Sequence, residues 1–266
     1  MKYGLIVGSE SGLAKSVIAE LAKSDYTLFC CDISYKEKSV IDNKHYIPLD
    51  VTNEDSLKEA HNYVVSVTER LDVVSNFAGI VLLGSMVELP LDTLDKIISV
   101  NLLSTYKINS LFFPLIEKAG GRIINISSEY AKIGALPFHG YYAITKHALD
   151  VYNDSLRREL AGSKVKVTCI RPGAFKTNMQ ANINNQFGEM VEESLRYKEP
   201  LTKMKFIMEK ELTKAKDPKK FAKVYLKALN SKRVKRYYNV NNSFKMKLYT
   251  ILPEGMKDLF FKMFLK

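Results

Sequence analysis

Along the first two thirds of the chain, short apolar runs alternate with stretches of helical spacing. Residues 3–7 form a continuous apolar run, the pattern of a strand covered on both faces. Leu13, Val17, Ile18 and Leu21 then fall on one face of a helix. The alternation continues with strands predicted over 27–31, ending at Asp32, over 45–49, ending at Asp50, and over 71–75. A helix over 56–68 carries Leu57, Ala60, Val64 and Val67 on one face. A long helix is predicted over 94–115, a strand over 122–126, a helix over 142–160 and a strand over 165–170. Repeated strand–helix alternation predicts an α/β fold, a doubly wound parallel sheet with helices on both faces. In such a sheet, ligands gather at the C-terminal ends of the strands.

After Thr177 the pattern weakens. Residues 178–216 are polar and charged with scattered Met and Phe. An amphipathic helix over 218–229 and an edge strand over 237–240 complete the expected elements. No internal repeat or linker divides residues 1–266, so one domain is expected.

The hydrophobic content of 46% and charged content of 26% suit a packed core and exclude a disordered chain. Charge adds an asymmetry. Residues 1–195 hold 20 Lys/Arg against 23 Asp/Glu, while residues 196–266 hold 20 against 6, so all excess positive charge lies in the last quarter. Such a stretch suits an acidic partner or is simply a solvated face. No recognised nucleic-acid motif accompanies it, and no nucleic-acid partner is expected. Cys30, Cys31 and Cys169 show neither metal-ligand spacing nor a disulfide framework. A reduced, cytoplasmic protein is expected, since the first residues lack the apolar core of a signal peptide and no run approaches the ~20 residues of a membrane span.

Three local patterns carry chemistry. Gly8-Ser9-Glu10-Ser11-Gly12-Leu13-Ala14 stands between the first strand and the first helix. There glycine lets the backbone approach a pyrophosphate at the helix N-terminus; the alternative is an ordinary turn. Asp32, ending the second strand, can accept hydrogen bonds from both ribose hydroxyls of an adenosine and repel a 2′-phosphate, which favours NAD over NADP; the alternative is a loop aspartate. Tyr142 and Lys146, four apart, share a helix face, where an ammonium favours the phenolate and brings tyrosine toward acid/base work; the alternative is a partly exposed helix face.

In order and context, the glycine turn, Asp50-Val51-Thr52, Asn76-Phe77-Ala78-Gly79, Val100-Asn101, Ile126-Ser127-Ser128, Tyr142 with Lys146, and Pro172-Gly173 with Thr177 resemble the short-chain dehydrogenase/reductase family. The resemblance runs from about residue 2 to 177. It implies a Rossmann-type fold and an NAD(P)-dependent oxidoreductase acting on CH–OH groups. Tyr142 would be the acid/base, Lys146 would bind the nicotinamide ribose and lower the tyrosine pKa, Ser128 would hydrogen-bond the substrate oxygen, and Asn101 would hold a relay water. Gly8, Ser9, Ser11, Gly12, Leu13, Asp32, Asp50, Val51, Asn76, Ala78, Gly79, Pro172, Gly173 and Thr177 would contact the cofactor, with Tyr142 and Lys146. The family habit implies a homodimer or homotetramer. Val7, Ala14 and Phe77 depart from the family's usual Thr, Gly and Asn. Ser128 precedes Tyr142 by one position more than usual, which leaves Tyr141 and Ser127 as rivals.

Residues 178–235 would form the substrate lid. Phe175, Met179, Phe187, Met190 and Leu195, with Phe138 and Met86 as further wall, suit a lipophilic alcohol or ketone, steroid-, retinoid- or acyl-like, or else pack the core. The tail 236–266 resembles steroid- and retinol-type members. Its end places Leu259, Phe260, Met263 and Phe264 on one helical face with Lys257, Lys262 and Lys266 at the edges. This face suits a partner subunit, the pocket, or peripheral contact with a membrane. The competing reading of the whole chain is a nucleotide-sensing regulatory protein on the same scaffold.

Overall fold

The computed structural model describes residues 1–134 and 136–265, without the side chains of 245–247. The described residues build one sheet of eight strands in the order β3-β4-β2-β1-β5-β6-β7-β8. The strands are β1 (Lys2–Val7), β2 (Tyr26–Asp32), β3 (Ser39–Ile41), β4 (Lys44–Pro48), β5 (Val73–Asn76), β6 (Arg122–Ile126), β7 (Lys166–Pro172) and β8 (Tyr237–Val240). All neighbours pair in parallel except β3 and β4. The expected strands are present, with ends shifted by a residue or two. The short β3 is an addition. Its three residues are all exposed, so it has no buried pattern to read.

The sheet feeds two cores, one on each face. Ile6, Leu28, Cys30, Val73 and Ile124 face α1 (Gly12–Leu21) and α9 (Pro218–Asn230). Leu5, Val7, Phe29, Cys31 and Val74 face α2 (Glu54–Val67) and α4 (Ser104–Ala119). Cys30 and Cys31 therefore lie on opposite sides of the sheet, as successive strand residues must. The family departures are absorbed here. Phe77 stands 5.9 Å from both Phe221 and Tyr225, Ala14 is fully buried against the first core, and Val7 is fully buried in the second.

The helix expected over 94–115 is present, with a π turn inside it. It runs as α3 (Thr93–Ile98), a π turn (Ser99–Leu103) and then α4. The remaining helices are α5 (Tyr130–Ile133), α6 (Gly140–Glu159), α7 (Asn178–Glu193), α8 (Lys198–Leu212), α10 (Phe244–Thr250) and α11 (Glu254–Phe264). The polar stretch 178–216 is thus a helical pair. Few of its residues are buried, chiefly Phe187, Met190, Leu201 and Met204, which explains the weak pattern. Gln186 ties α7 to the loop after β5, accepting from Leu83 N (3.0 Å) and donating to Val81 O (2.8 Å).

The tail differs from expectation. Leu259, Phe260 and Met263 of α11 are exposed, but Phe264 packs against the cluster that contains Phe138 and Phe187. Lys257 is buried, paired with Glu254 (2.7 Å) and over the Tyr249 ring, because the helix packs on α10 there. Lys266 lies outside the described residues. No helix of the described residues is long and apolar enough to cross a membrane.

Candidate active site

β1 stands between β2 and β5, so the chain leaves it in opposite directions and opens a crevice at its C-terminal end. Gly8 turns the chain there with φ +77°, and a side chain on it would collide with the backbone of Ala78. The Gly8 and Ser9 amides donate to Cys31 O (2.8 and 3.1 Å). Ser11 caps α1 by accepting from Ala14 N (3.3 Å), and the first amides of the helix lack intrahelical acceptors. A Cβ on Gly12 would sit 2.7 Å from Thr177 Cγ2, so the Pro172–Thr177 segment closes over the glycine turn. Gly173 N donates to Val240 O (2.9 Å) and Pro172 O accepts from Glu129 N (3.0 Å), which holds that segment between β6 and β8.

Asp32 lies beside this turn. One carboxylate oxygen accepts from Glu10 N (2.9 Å), and the other from Ser34 N (3.0 Å) and Ser34 Oγ (2.9 Å). A carboxylate offers about four acceptor positions, so about one is left for a ribose hydroxyl, not two. Glu10, from the same loop, accepts from the Tyr35 hydroxyl (2.9 Å) and pairs with Lys15 (2.6 Å). Leu49 N donates to Asp32 O (3.0 Å), which puts Asp50 and Val51 next to the end of β2. Asp50 accepts from Thr52 N (2.8 Å) and fixes the turn into α2.

Of the segment after β5, Ala78 and Gly79 reach the crevice floor, but Asn76 turns inward. Its amide donates to Asn109 (2.8 Å) and Asn125 (2.9 Å), because a polar side chain buried within the sheet must find partners. Gly79 lies where a Cβ would come 3.3 Å from Asn101 Oδ1 and 3.7 Å from Lys146 Nζ. Asn101, fully buried in the π turn, accepts from Ile80 N (2.8 Å) and donates to Ile80 O (2.9 Å) and Thr145 Oγ1 (3.1 Å). Both its amide hydrogens are committed, so a water on this residue is left to its carbonyl oxygens.

α6 supplies Tyr142 and Lys146. Lys146 Nζ donates to Ile126 O (3.1 Å) and stands 5.6 Å from the centre of the Tyr142 ring. The Ser127 hydroxyl donates to Lys146 O (3.3 Å), whereas Ser128 lines a cavity together with Tyr142. Tyr141 shares an apolar cluster with Tyr142 but does not line the cavity. Burial pushes the Tyr142 phenol up to about 12, opposed by a hydrogen bond to the Ser128 side chain. Burial also brings the Lys146 ammonium down to about 8. Burial thus acts on the phenol in the opposite sense to the lowering expected from the nearby ammonium.

The cavity measures about 560 Å³. Its walls include Leu13, Val81, Ile183, Met204 and Met208, with Phe175 and Met179 from the expected set. Phe187, Met190 and Phe138 are buried in the packing behind it, while Leu195 is 90% exposed and Met86 half exposed. Those five residues were expected at the pocket; Leu195 faces away because it follows the last turn of α7. Sequence reasoning missed Glu129 and His139 on the wall. Adjacency to Ser128 could have pointed to Glu129; nothing local marks His139.

The short chain dehydrogenase profile matches residues 2–187, and the chain belongs to this family. It is 26% identical to the probable short-chain type dehydrogenase/reductase VdlC of Helicobacter pylori over 97% of this chain and 96% of that protein. It is 31% identical to mouse estradiol 17-beta-dehydrogenase 2, over 67% of this chain and 49% of that protein. It is 27% identical to the 3-ketodihydrosphingosine reductase of Bacteroides thetaiotaomicron, over 86% and 83% of the two chains. Among solved structures, a 3-ketoacyl-(acyl-carrier-protein) reductase from Brucella melitensis complexed with NADH superposes with TM-score 0.72 at 19% identity, covering 90% of this chain and 96% of that one. ElxO with NADP bound superposes with TM-score 0.69 at 27% identity, over the same shares. The protein is thus a short-chain oxidoreductase whose structural neighbours bind nicotinamide dinucleotides.

Proposed function

We propose that the protein transfers a hydride between NAD and a lipophilic secondary alcohol or ketone, with Tyr142 as acid/base. The carrying observation is one juxtaposition: Tyr142 and Ser128 share the wall of a mainly apolar cavity, and Lys146 Nζ stands 5.6 Å from the tyrosine ring. The named relatives act on estradiol and 3-ketodihydrosphingosine, which agrees with a lipophilic substrate.

The crevice fits a dinucleotide on its own geometry. Gly8 and Gly12 leave backbone where any Cβ would intrude, at the N-terminus of α1, and Gly79 keeps the space beside Asn101 and Lys146 clear. In this reading Gly8, Ser9, Ser11, Gly12 and Leu13 bind the pyrophosphate, Asp32 the adenosine ribose, and Asp50, Val51 and Ala78 the adenine side. Gly79, Lys146, Pro172, Gly173 and Thr177 bind the nicotinamide end. The Asp32 and Glu10 carboxylates at the ribose end favour NAD over NADP. Bound there, the cofactor supplies hydride transfer.

The chain's own residues handle the proton. Ser128 donates to the substrate oxygen and holds it against the phenol. Tyr142 gives its proton to a forming alkoxide or, as phenolate, takes one from an alcohol. Lys146, buried and hydrogen-bonded to Ile126 O, orients the sugar and stabilises the phenolate as it forms. The lid helices α7 and α8 cover the cavity and exclude water.

Tyr142→Phe tests the reading. With NADH and a panel of hydrophobic ketones, the wild type should consume cofactor and the variant should lose activity by a hundredfold or more on the scale of ~10²–10⁴ for general acid/base groups, while binding NADH as tightly as before. Cofactor binding without turnover in the wild type, over a broad panel, would favour a nucleotide-sensing role instead.

A further inference from the structure

Two helices turn apolar stripes outward. On α10 and just after it, Phe244, Leu248 and Ile251 stand at i, i+4 and i+7, and all three are exposed. On α11, Met256, Leu259, Phe260 and Met263 stand at i, i+3, i+4 and i+7 and are 56, 59, 58 and 71% exposed. The packed side of α11 is a different one. Phe261 meets the Tyr249 ring (6.2 Å), and Phe264 packs against the cluster around Phe138 and Phe187. The outward stripe therefore adds nothing to the fold. Single exposed apolar residues are ordinary, but stripes of helical spacing on two successive helices mark an interaction surface.

That surface reaches the cavity. Phe244 lines it, with Met179 of α7 and Ile207 of α8, and all three are exposed. Phe206, next to Ile207, is exposed as well. Cations stand among these side chains. Lys203 and Lys210 flank Phe206 at i−3 and i+4 on the exposed face of α8, and Lys262 adjoins Met263 on α11. Lys203 pairs with Glu199 (2.8 Å), whereas Lys210 and Lys262 form no ion pair among the described residues. All belong to the stretch that holds 20 Lys/Arg against 6 Asp/Glu.

We propose that this surface docks on a lipid bilayer with anionic headgroups. The stripes of α10 and α11 lie at the boundary of headgroups and acyl chains, and the lysines meet the negative charge above it. Charge selects this occupant over a second copy of the chain, because a two-fold contact through the same face would set lysines against lysines. Docking would bring the cavity mouth to the bilayer, where a lipophilic alcohol or ketone partitions. That consequence rests on the dehydrogenase reading. The docking does not, and it is measured without cofactor or substrate.

Co-sedimentation of the full chain with vesicles tests it. Vesicles of mixed phosphatidylcholine and phosphatidylserine should bind the protein at least about tenfold more strongly than phosphatidylcholine alone, and added salt should weaken the binding. Phe260→Ser combined with Met263→Ser should lower binding to the mixed vesicles by about tenfold or more. Both side chains are exposed, so the thermal midpoint should hold and show that the variant is folded. Val65→Ser, at an exposed apolar residue of α2, should leave binding unchanged. No binding to the mixed vesicles, equal binding to both kinds, or binding that the double variant leaves intact overturns the inference. An equal loss in Val65→Ser overturns the location. A dimer in vesicle-free sedimentation that the double variant converts to a monomer, with no vesicle binding, overturns it in favour of a second copy on this face.

Discussion

Replacing Asp32 with Ala probes the choice between NAD and NADP. In this structure the carboxylate already accepts three hydrogen bonds, from Glu10 N, Ser34 N and Ser34 Oγ. Of about four acceptor positions, one remains for a ribose hydroxyl. One hydrogen bond to a charged group contributes about 1.5–3 kcal/mol, so NAD should bind roughly ten- to 150-fold more weakly to the variant. NADP loses a like-charge neighbour instead. Two unit charges about 4 Å apart repel by ~4 kcal/mol at an effective dielectric of about 20, and a 2′-phosphate carries more than one. Its affinity should therefore rise or hold. Glu10 keeps a second carboxylate at the loop, so the switch should be incomplete. Calorimetric titration of both cofactors at one fixed ionic strength measures the ratio of the two dissociation constants, which should move toward NADP by at least about tenfold. The freed Glu10 and Ser34 amides can reach water at this partly exposed turn, so thermal stability should change little and serves as the control. An unchanged ratio, or one that moves toward NAD, refutes the reasoning.

Two further outcomes follow from burial. With the Tyr142 phenol pushed up to about 12, the phenolate is scarce at neutral pH. Alcohol oxidation, which needs it, should rise nearly tenfold per unit below about pH 8 and less steeply above, where Lys146 loses its charge, while ketone reduction, which needs the protonated phenol, should show no such rise; a flat oxidation profile below about pH 8 would count against Tyr142 as the base. Arg171, just before Pro172-Gly173, is buried against Asp150, donating from Nε at 2.7 Å and also from Nη2, and it stacks on Tyr237. Arg171→Met leaves the Asp150 carboxylate buried without its cation, at a cost of about 3–5 kcal/mol, which thermal unfolding should record as a fall of roughly 6–20 °C. Adding Asp150→Leu should recover most of it, and a single variant as stable as the wild type would show that the pair is solvated.

The glycine turn, Asp32, the Tyr142–Lys146 pair and the succession of strands and helices along the chain could be read from local patterns. Each depends on residues close in sequence, on a strand end, a helix start or one helix turn. The π turn that buries Asn101 could not be read, because the apolar spacing of Ile97, Ile98 and Leu102 continues through it. α7 and α8 were hidden because their cover of the cavity buries few of their residues. Asn76 was expected on the cofactor side and instead completes an amide network with Asn109 and Asn125, residues far off in the chain.

By itself, then, the sequence determined the doubly wound sheet and the family, and it put Tyr142 and Lys146 forward as a pair on one helix face, since periodicity and i to i+4 spacing fix which faces are buried and which groups meet. The tertiary structure alone decided the state of those groups. It placed Tyr142 and Lys146 in a desolvated pocket that moves both pKa values toward the neutral forms. It also left His139 Nε2 buried without a hydrogen-bond partner among the described residues. Desolvation and the lack of a partner depend on everything the fold packs around a residue, and no stretch of neighbouring sequence contains that sum.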